Sequence, residues 1–176
     1  MGRTLVLGGT RSGKSAWAEA LLDADSPALY VATARGVDPD VDAEWAERVE
    51  RHRRRRPARW TTLEDPDLAE VVRTRVNVPV LVDDLATWMT AVLDDAGWAR
   101  HAPSVDRART DLVDAVATRD PGAPLVLVSA EVGLGVVPSS SAGRRFRDEL
   151  GALNEELAGV CDDVRLVVAG RSLRLA

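Results

Sequence analysis

The sequence predicts an α/β fold: a mostly parallel sheet flanked by helices, with a P-loop nucleotide site on its first strand. Three observations predict it. Short runs rich in Val and Leu alternate with helical patterns from end to end, as strands buried on both faces alternate with crossover helices. The first run leads into Gly8, Gly9, Thr10, Arg11, Ser12, Gly13, Lys14 and Ser15, which has the spacing G-x-x-x-x-G-K-[ST]. The chain has 176 residues, 45% of them hydrophobic and 29% charged, which suits one domain over 1–176 with a sizeable core.

In chain order, TLVLGG (4–9) is the first strand. The glycines after it let the backbone curl, so that successive N–H groups point inward at phosphate oxygens, and the next helix adds its N-terminal dipole. Lys14 is placed to reach the β- and γ-phosphates, and Ser15 to set its hydroxyl on Mg²⁺. Lys14 is also the single lysine among 23 basic residues. A chain that writes arginine everywhere else marks here a position where arginine does not serve. A helix is expected over 14–24.

PALYVAT (27–33) is the second strand, followed by the loop ARGVDPD (34–40) and a helix over roughly 40–55 that Pro57 must end. RWTTLE (59–64) reads as a short extra strand. Further helices are expected over 66–75, 85–96, 104–119 and 141–161, and further strands at PVLVDD (79–84), PLVLVSA (124–130) and DVRLVVAG (163–170). The loops at 34–40 and 131–143 (EVGLGVVPSSSAG) leave the carboxyl ends of strands, where open α/β sheets bind ligands. A P-loop enzyme needs a carboxylate at the end of a neighbouring strand to steady its metal. Asp83 stands in that place, while Asp84 suits the N-cap of the helix that follows.

RVERHRRRRPARW (48–60) is the densest charge run. Trp45, Val49 and His52 are spaced i, i+4, i+7 and share an inward helix face, so His52 is not one more solvated basic group. Arg48, Arg55 and Arg56 fall three or four residues from it, and their charge favours a neutral imidazole, against the pull of the negative helix end. Spacing alone leaves two readings: a histidine packed at a helix end, or a nucleophile whose arginines hold phosphate charge. Trp60 beside the run is expected in the core, as are the other tryptophans and Cys161, and His101 is expected on the surface.

The net charge is −5, which argues against a dedicated nucleic-acid binder, because such proteins are usually basic overall. One cysteine allows no disulfide within the chain. No apolar stretch approaches the roughly 18–20 residues that span a bilayer. A cytoplasmic protein without membrane insertion is therefore expected.

GGTRSGKSAWAEALL, LYVATA, DAEWAERVERHRRRRPARWTTLE, LVDDLATWMTAVL and the stretch from LVLVSAEVGLGVVP to VVAG follow one another in the order of a known family. The chain resembles the bifunctional adenosylcobinamide kinase / adenosylcobinamide-phosphate guanylyltransferases of cobalamin biosynthesis over nearly its whole length. The RH…RP…W…E and EVGxGxVP blocks are the specific part, since a P-loop is common to many families.

The resemblance implies a RecA-like P-loop fold and a homo-oligomer, a trimer in some members. It also implies two reactions. An NTP, either ATP or GTP, phosphorylates adenosylcobinamide. GTP then guanylylates a histidine, and the GMP passes to adenosylcobinamide phosphate. By position that histidine is His52. Guanine-nucleotide contacts would fall on the P-loop, on Ala32, Thr33 and Ala34, on His52, Arg53, Arg54 and Arg55, and on Glu64 and Asp83. Some members carry two adjacent histidines where this chain has Arg51-His52, and an Asn before the glutamate where it has Ser129-Ala130. Two other functions remain to be separated from this one: a P-loop kinase with the first activity alone, which would not need His52, and a RecA-like nucleic-acid-binding ATPase using the arginine run as its groove.

Overall fold

The computed structural model describes residues 2–35, 46–47, 49–50, 53–54, 56–75, 77–120 and 122–176. Seven strands form one sheet: β1 (Arg3–Gly8), β2 (Leu29–Ala32), β3 (Thr61–Glu64), β4 (Val80–Asp83), β5 (Leu125–Ala130), β6 (Asp163–Val168) and β7 (Arg171–Arg174). Their order is β3-β2-β4-β5-β1-β6-β7. All neighbours pair in parallel except β6 and β7. The helices are α1 (Lys14–Glu19), α2 (Leu68–Thr74), α3 (Leu85–Asp95), α4 (Pro103–Thr118) and α5 (Ser141–Ala158).

Alternation along each strand assigns its side chains to two cores. On β5, Leu125 and Leu127 face a layer built by α2, α3, α4 and α5, which contribute Val72, Leu85, Met89, Leu112, Leu150 and Leu153. Val126 and Val128 face the other side, with Val6, Tyr30, Leu81 and Val167, under Ala18 of α1 and Trp60. Each such side chain taken fully out of water contributes roughly 1.5–3 kcal/mol before entropy is charged against it. Both faces of the central strands are therefore apolar, and their sequences read as continuous runs rather than alternating ones.

Two expected elements differ. The helix expected over 14–24 ends at Glu19. Its chain then tightens through Leu21 N–H to Ala18 O and Leu22 N–H to Glu19 O, and the Asp23 carboxylate accepts from the Asp25 amide and the Ser26 hydroxyl to build a turn. Asp and Ser compete with the helix for backbone groups in this way. The strand expected over 163–170 stops at Val168. Ala169 and Gly170 take positive φ of 50° and 73°, and β7 returns antiparallel, an element the sequence did not announce. Of the helix expected over roughly 40–55, residues 46–47, 49–50 and 53–54 are described and are helical. Trp45, Arg48, Arg51, His52 and Arg55 lie outside the described residues.

Trp60 is buried, its indole N–H donating to Asp23 O. Cys161 is half-buried against the larger core, where burial pushes its thiol up to about 12. His101 is exposed.

Candidate active site

The phosphate loop connects β1 to α1. Gly8 closes the strand, Ser12 N–H donates to Gly9 O at 3.2 Å, and Gly13 caps α1 with φ 92°. The loop rests on two neighbours. The Gly170 amide donates to Ser12 O at 2.8 Å, and the Glu131 amide donates to Gly8 O at 3.1 Å. A Cβ on Gly13 would meet Gly170 Cα at 3.3 Å, so the β6–β7 turn braces the loop from behind. Gly13→Ala is accordingly expected to pay about 1–2 kcal/mol for the left-handed backbone and to weaken nucleotide binding about tenfold by calorimetry, with the fold intact by circular dichroism.

Lys14 is only 6% exposed. Its ammonium stands 4.0 Å from Asp84 Oδ2, and the Lys14 amide donates to the Ser12 hydroxyl. The Ser15 hydroxyl donates to Asp83 Oδ1 at 3.1 Å, and Asp83 Oδ2 accepts from the Tyr30 hydroxyl at 2.6 Å. Strand order explains the convergence: β5 separates β1 from β4, so the loop after β1 and the aspartates after β4 face each other across the end of β5.

Asp83 and Asp84 are joined by a cis peptide. Asp84 caps α3, accepting from the Ala86 and Thr87 amides, and is also the carboxylate nearest Lys14. Burial and then the charge of Asp83 push its carboxyl up, against Lys14 and the cap amides. Capping was legible in the sequence; the approach to Lys14 was not, because it depends on which strands are neighbours.

Ser15 and Asp83 offer hard oxygen donors side by side, which suits Mg²⁺. Among the described residues no group of three or more His, Cys, Asp or Glu side chains could hold a metal. The donor set therefore fits an ion that completes its shell with water and nucleotide phosphates, the usual arrangement for Mg²⁺.

Of the other residues implicated by resemblance, Ala32 ends β2 and is buried. Thr33 is buried too, its hydroxyl bonded to Asp84 O at 2.6 Å and to the Thr87 hydroxyl, so its side chain braces the aspartate turn. Ala34 is half-buried. Arg54 is exposed and pairs with Glu50. Arg53 and Glu64 come together in the wall of a cavity of about 540 Å³, with Arg56, Pro57, Trp60 and Thr62. Arg55 and His52 lie outside the described residues.

Two residues of the site were missed by sequence reasoning. Tyr30 sits in an apolar strand run, and only its pairing position beside β4 sets its hydroxyl on Asp83. Arg56 was one arginine among many, yet its guanidinium lies 4.1 Å over the Tyr30 ring. Ser129, where relatives carry Asn, is buried and bonds Asn154 at 2.6 Å.

Residues 4–175 match the family model described as cobinamide kinase / cobinamide phosphate guanyltransferase. The chain is 38% identical over 182 residues to the bifunctional adenosylcobalamin biosynthesis protein CobU of Escherichia coli K12, covering 97% of this chain and 98% of that protein. It is 40% identical over 179 residues to the corresponding CobP of Pseudomonas aeruginosa PAO1, covering 98% and 96%. Among solved structures, an ATPase from the type III secretion system of pathogenic bacteria superposes with a TM-score of 0.52 at 14% identity, over 94% of this chain and 50% of that one. That likeness concerns the fold, which is that of the P-loop NTPases.

Proposed function

The chain belongs to the cobinamide kinase / cobinamide phosphate guanyltransferase family, and from that premise we propose that it carries out both reactions on one P-loop scaffold. In the first, the aminopropanol hydroxyl of adenosylcobinamide attacks the γ-phosphorus of ATP or GTP and the nucleoside diphosphate leaves. In the second, the imidazole of His52 attacks the α-phosphorus of GTP and expels pyrophosphate. The phosphate of adenosylcobinamide phosphate then takes the GMP, giving adenosyl-GDP-cobinamide. Two displacements spare the protein from bringing two polyanions together in one step.

The observation that carries this reading is the convergence of Lys14, Ser15 and Asp83, with Ser15 and Asp83 3.1 Å apart, in a chain matching the family over residues 4–175. Lys14 neutralises the β- and γ-oxygens, and the loop amides hold the phosphates in place. Mg²⁺ held by Ser15 and Asp83 would neutralise charge on the β- and γ-phosphates. Arg53, Glu64 and the cavity between them support a base-and-phosphate site beside the segment carrying His52, with Arg54 and Arg55 on the same segment.

We place the protein in the cytoplasm as a homo-oligomer, in the trimeric form the resemblance implies. Sedimentation of the purified chain reads that state. Among the described residues no helix is long and apolar enough to cross a membrane.

The test is product analysis. Wild-type protein given adenosylcobinamide, GTP and Mg²⁺ is expected to release adenosyl-GDP-cobinamide and pyrophosphate, identified by mass. Accumulation of adenosylcobinamide phosphate alone would reduce the reading to a kinase. Tight, salt-sensitive binding of single-stranded nucleic acid without either product would favour the ATPase instead.

A further inference from the structure

The cavity of about 540 Å³ beside β3 and the phosphate loop lie on opposite sides of Tyr30, and the side chains between them are in contact. Arg56 lines the cavity. One of its nitrogens donates to the Thr62 hydroxyl at 3.3 Å, while its Nε is buried and has no hydrogen-bond partner among the described residues. Its guanidinium carbon stands 4.1 Å from the centroid of the Tyr30 ring, within the range of a cation–π contact. Tyr30 is 1% exposed and donates its hydroxyl to Asp83 Oδ2 at 2.6 Å, while Asp83 Oδ1 accepts from Ser15. An unbroken path of contacts therefore runs from the cavity wall to the phosphate loop.

We propose that Arg56 is an anion-binding residue of the cavity, taking a phosphate oxygen of a nucleotide, and that Tyr30 is a positioning residue coupling Arg56 to Asp83. The proposal rests on the functional reading above only in taking the ligand to be a nucleotide.

Four physical points support it. A buried donor without a partner is costly unless a ligand completes it, and Arg56 Nε is such a donor on a cavity wall. Burial and the charge of Asp83 raise the Tyr30 phenol well above its ordinary range, and Arg56 opposes them, so the hydroxyl stays protonated and donates. The cation over the ring strengthens that donation by drawing charge from the oxygen. A hydroxyl held on Oδ2 fixes the carboxylate rotamer and keeps Oδ1 directed at Ser15. Occupation of the cavity and readiness of the phosphate loop then share one set of contacts, which is the condition for coupling between them.

The experiment is calorimetric titration of the full-length chain and of Tyr30→Phe, Arg56→Met and the double variant. The probes are GMP in EDTA and a non-hydrolysable GTP analogue in Mg²⁺. Tyr30→Phe keeps the ring and removes only the hydroxyl. It is expected to leave GMP binding in EDTA within about twofold of wild type and to weaken the Mg²⁺-dependent binding of the analogue about tenfold. Arg56→Met is expected to weaken GMP about tenfold. In the double variant the two losses for the analogue should overlap rather than multiply.

Three results would overturn the proposal: a Tyr30→Phe protein whose Mg²⁺-dependent increment is unchanged, a GMP affinity untouched by Arg56→Met, or losses that multiply in full. A Tyr30→Phe protein with a lower melting temperature and both ligands weakened alike would likewise assign Tyr30 to the core alone. If wild type shows the coupled pattern yet makes no corrinoid product, the functional reading fails and this one stands. If wild type binds neither probe, both fail.

Discussion

Lys14→Met is expected to lower both reactions by about 10²–10³-fold, the range found when one charge-stabilising donor is removed from a preorganised site. The methionine stem replaces the buried aliphatic part of the lysine and isolates the loss of charge. The ammonium is the group that follows charge from the γ- to the β-oxygens as the bond breaks. Lys14→Arg is expected to fail almost as badly. At 6% exposure and 4.0 Å from Asp84, the position holds a compact point charge and has no room for a planar fork. Paired assays of phosphoryl transfer and GMP transfer, with melting temperature as a control, check both variants. An arginine variant with near-normal rates would show that the single lysine of this chain is not a constraint of the site.

His52→Ala should separate the two activities. Removing the nucleophile is expected to lower GMP transfer by at least about 10⁴-fold, as losses of covalent nucleophiles do. Phosphorylation of adenosylcobinamide should stay within about threefold of wild type, because nothing in the γ-phosphoryl step needs an imidazole. Supplying adenosylcobinamide phosphate directly should not restore the second product. Loss of both activities together would mean that His52 holds the segment in place, the packing role that helical spacing alone allowed.

The parts of the molecule legible in the sequence were those governed by local rules. The Gly8–Ser15 loop, the strands buried on both faces and the Asp84 cap each follow from residues within one turn or one strand. Tyr30 and Arg56 were not legible, because their roles arise where β2 lies beside β4 and β3 in the sheet, and strand order is not written in any one segment. β7 escaped for another reason. RSLR is short, lies at a sheet edge and is mostly exposed, and its turn uses Ala169-Gly170 rather than the Asn-Gly that usually signals a hairpin. Yet that turn braces Ser12 and Gly13, so the least expected element supports the most strongly predicted one. The over-long first helix came from counting AEALLDAD as helical when Asp23 and Ser26 make a competing turn.

The covalent intermediate tests the central claim most directly. Wild-type protein incubated with GTP labelled on the α-phosphate, denatured and digested, should carry label in the peptide containing His52. Its mass increase should be one GMP moiety, and the bond should be labile in acid and stable in alkali. The same protein given GTP labelled on the γ-phosphate should carry none. A peptide without the adduct under conditions where adenosyl-GDP-cobinamide is formed, or an adduct that persists in His52→Ala, would contradict the account.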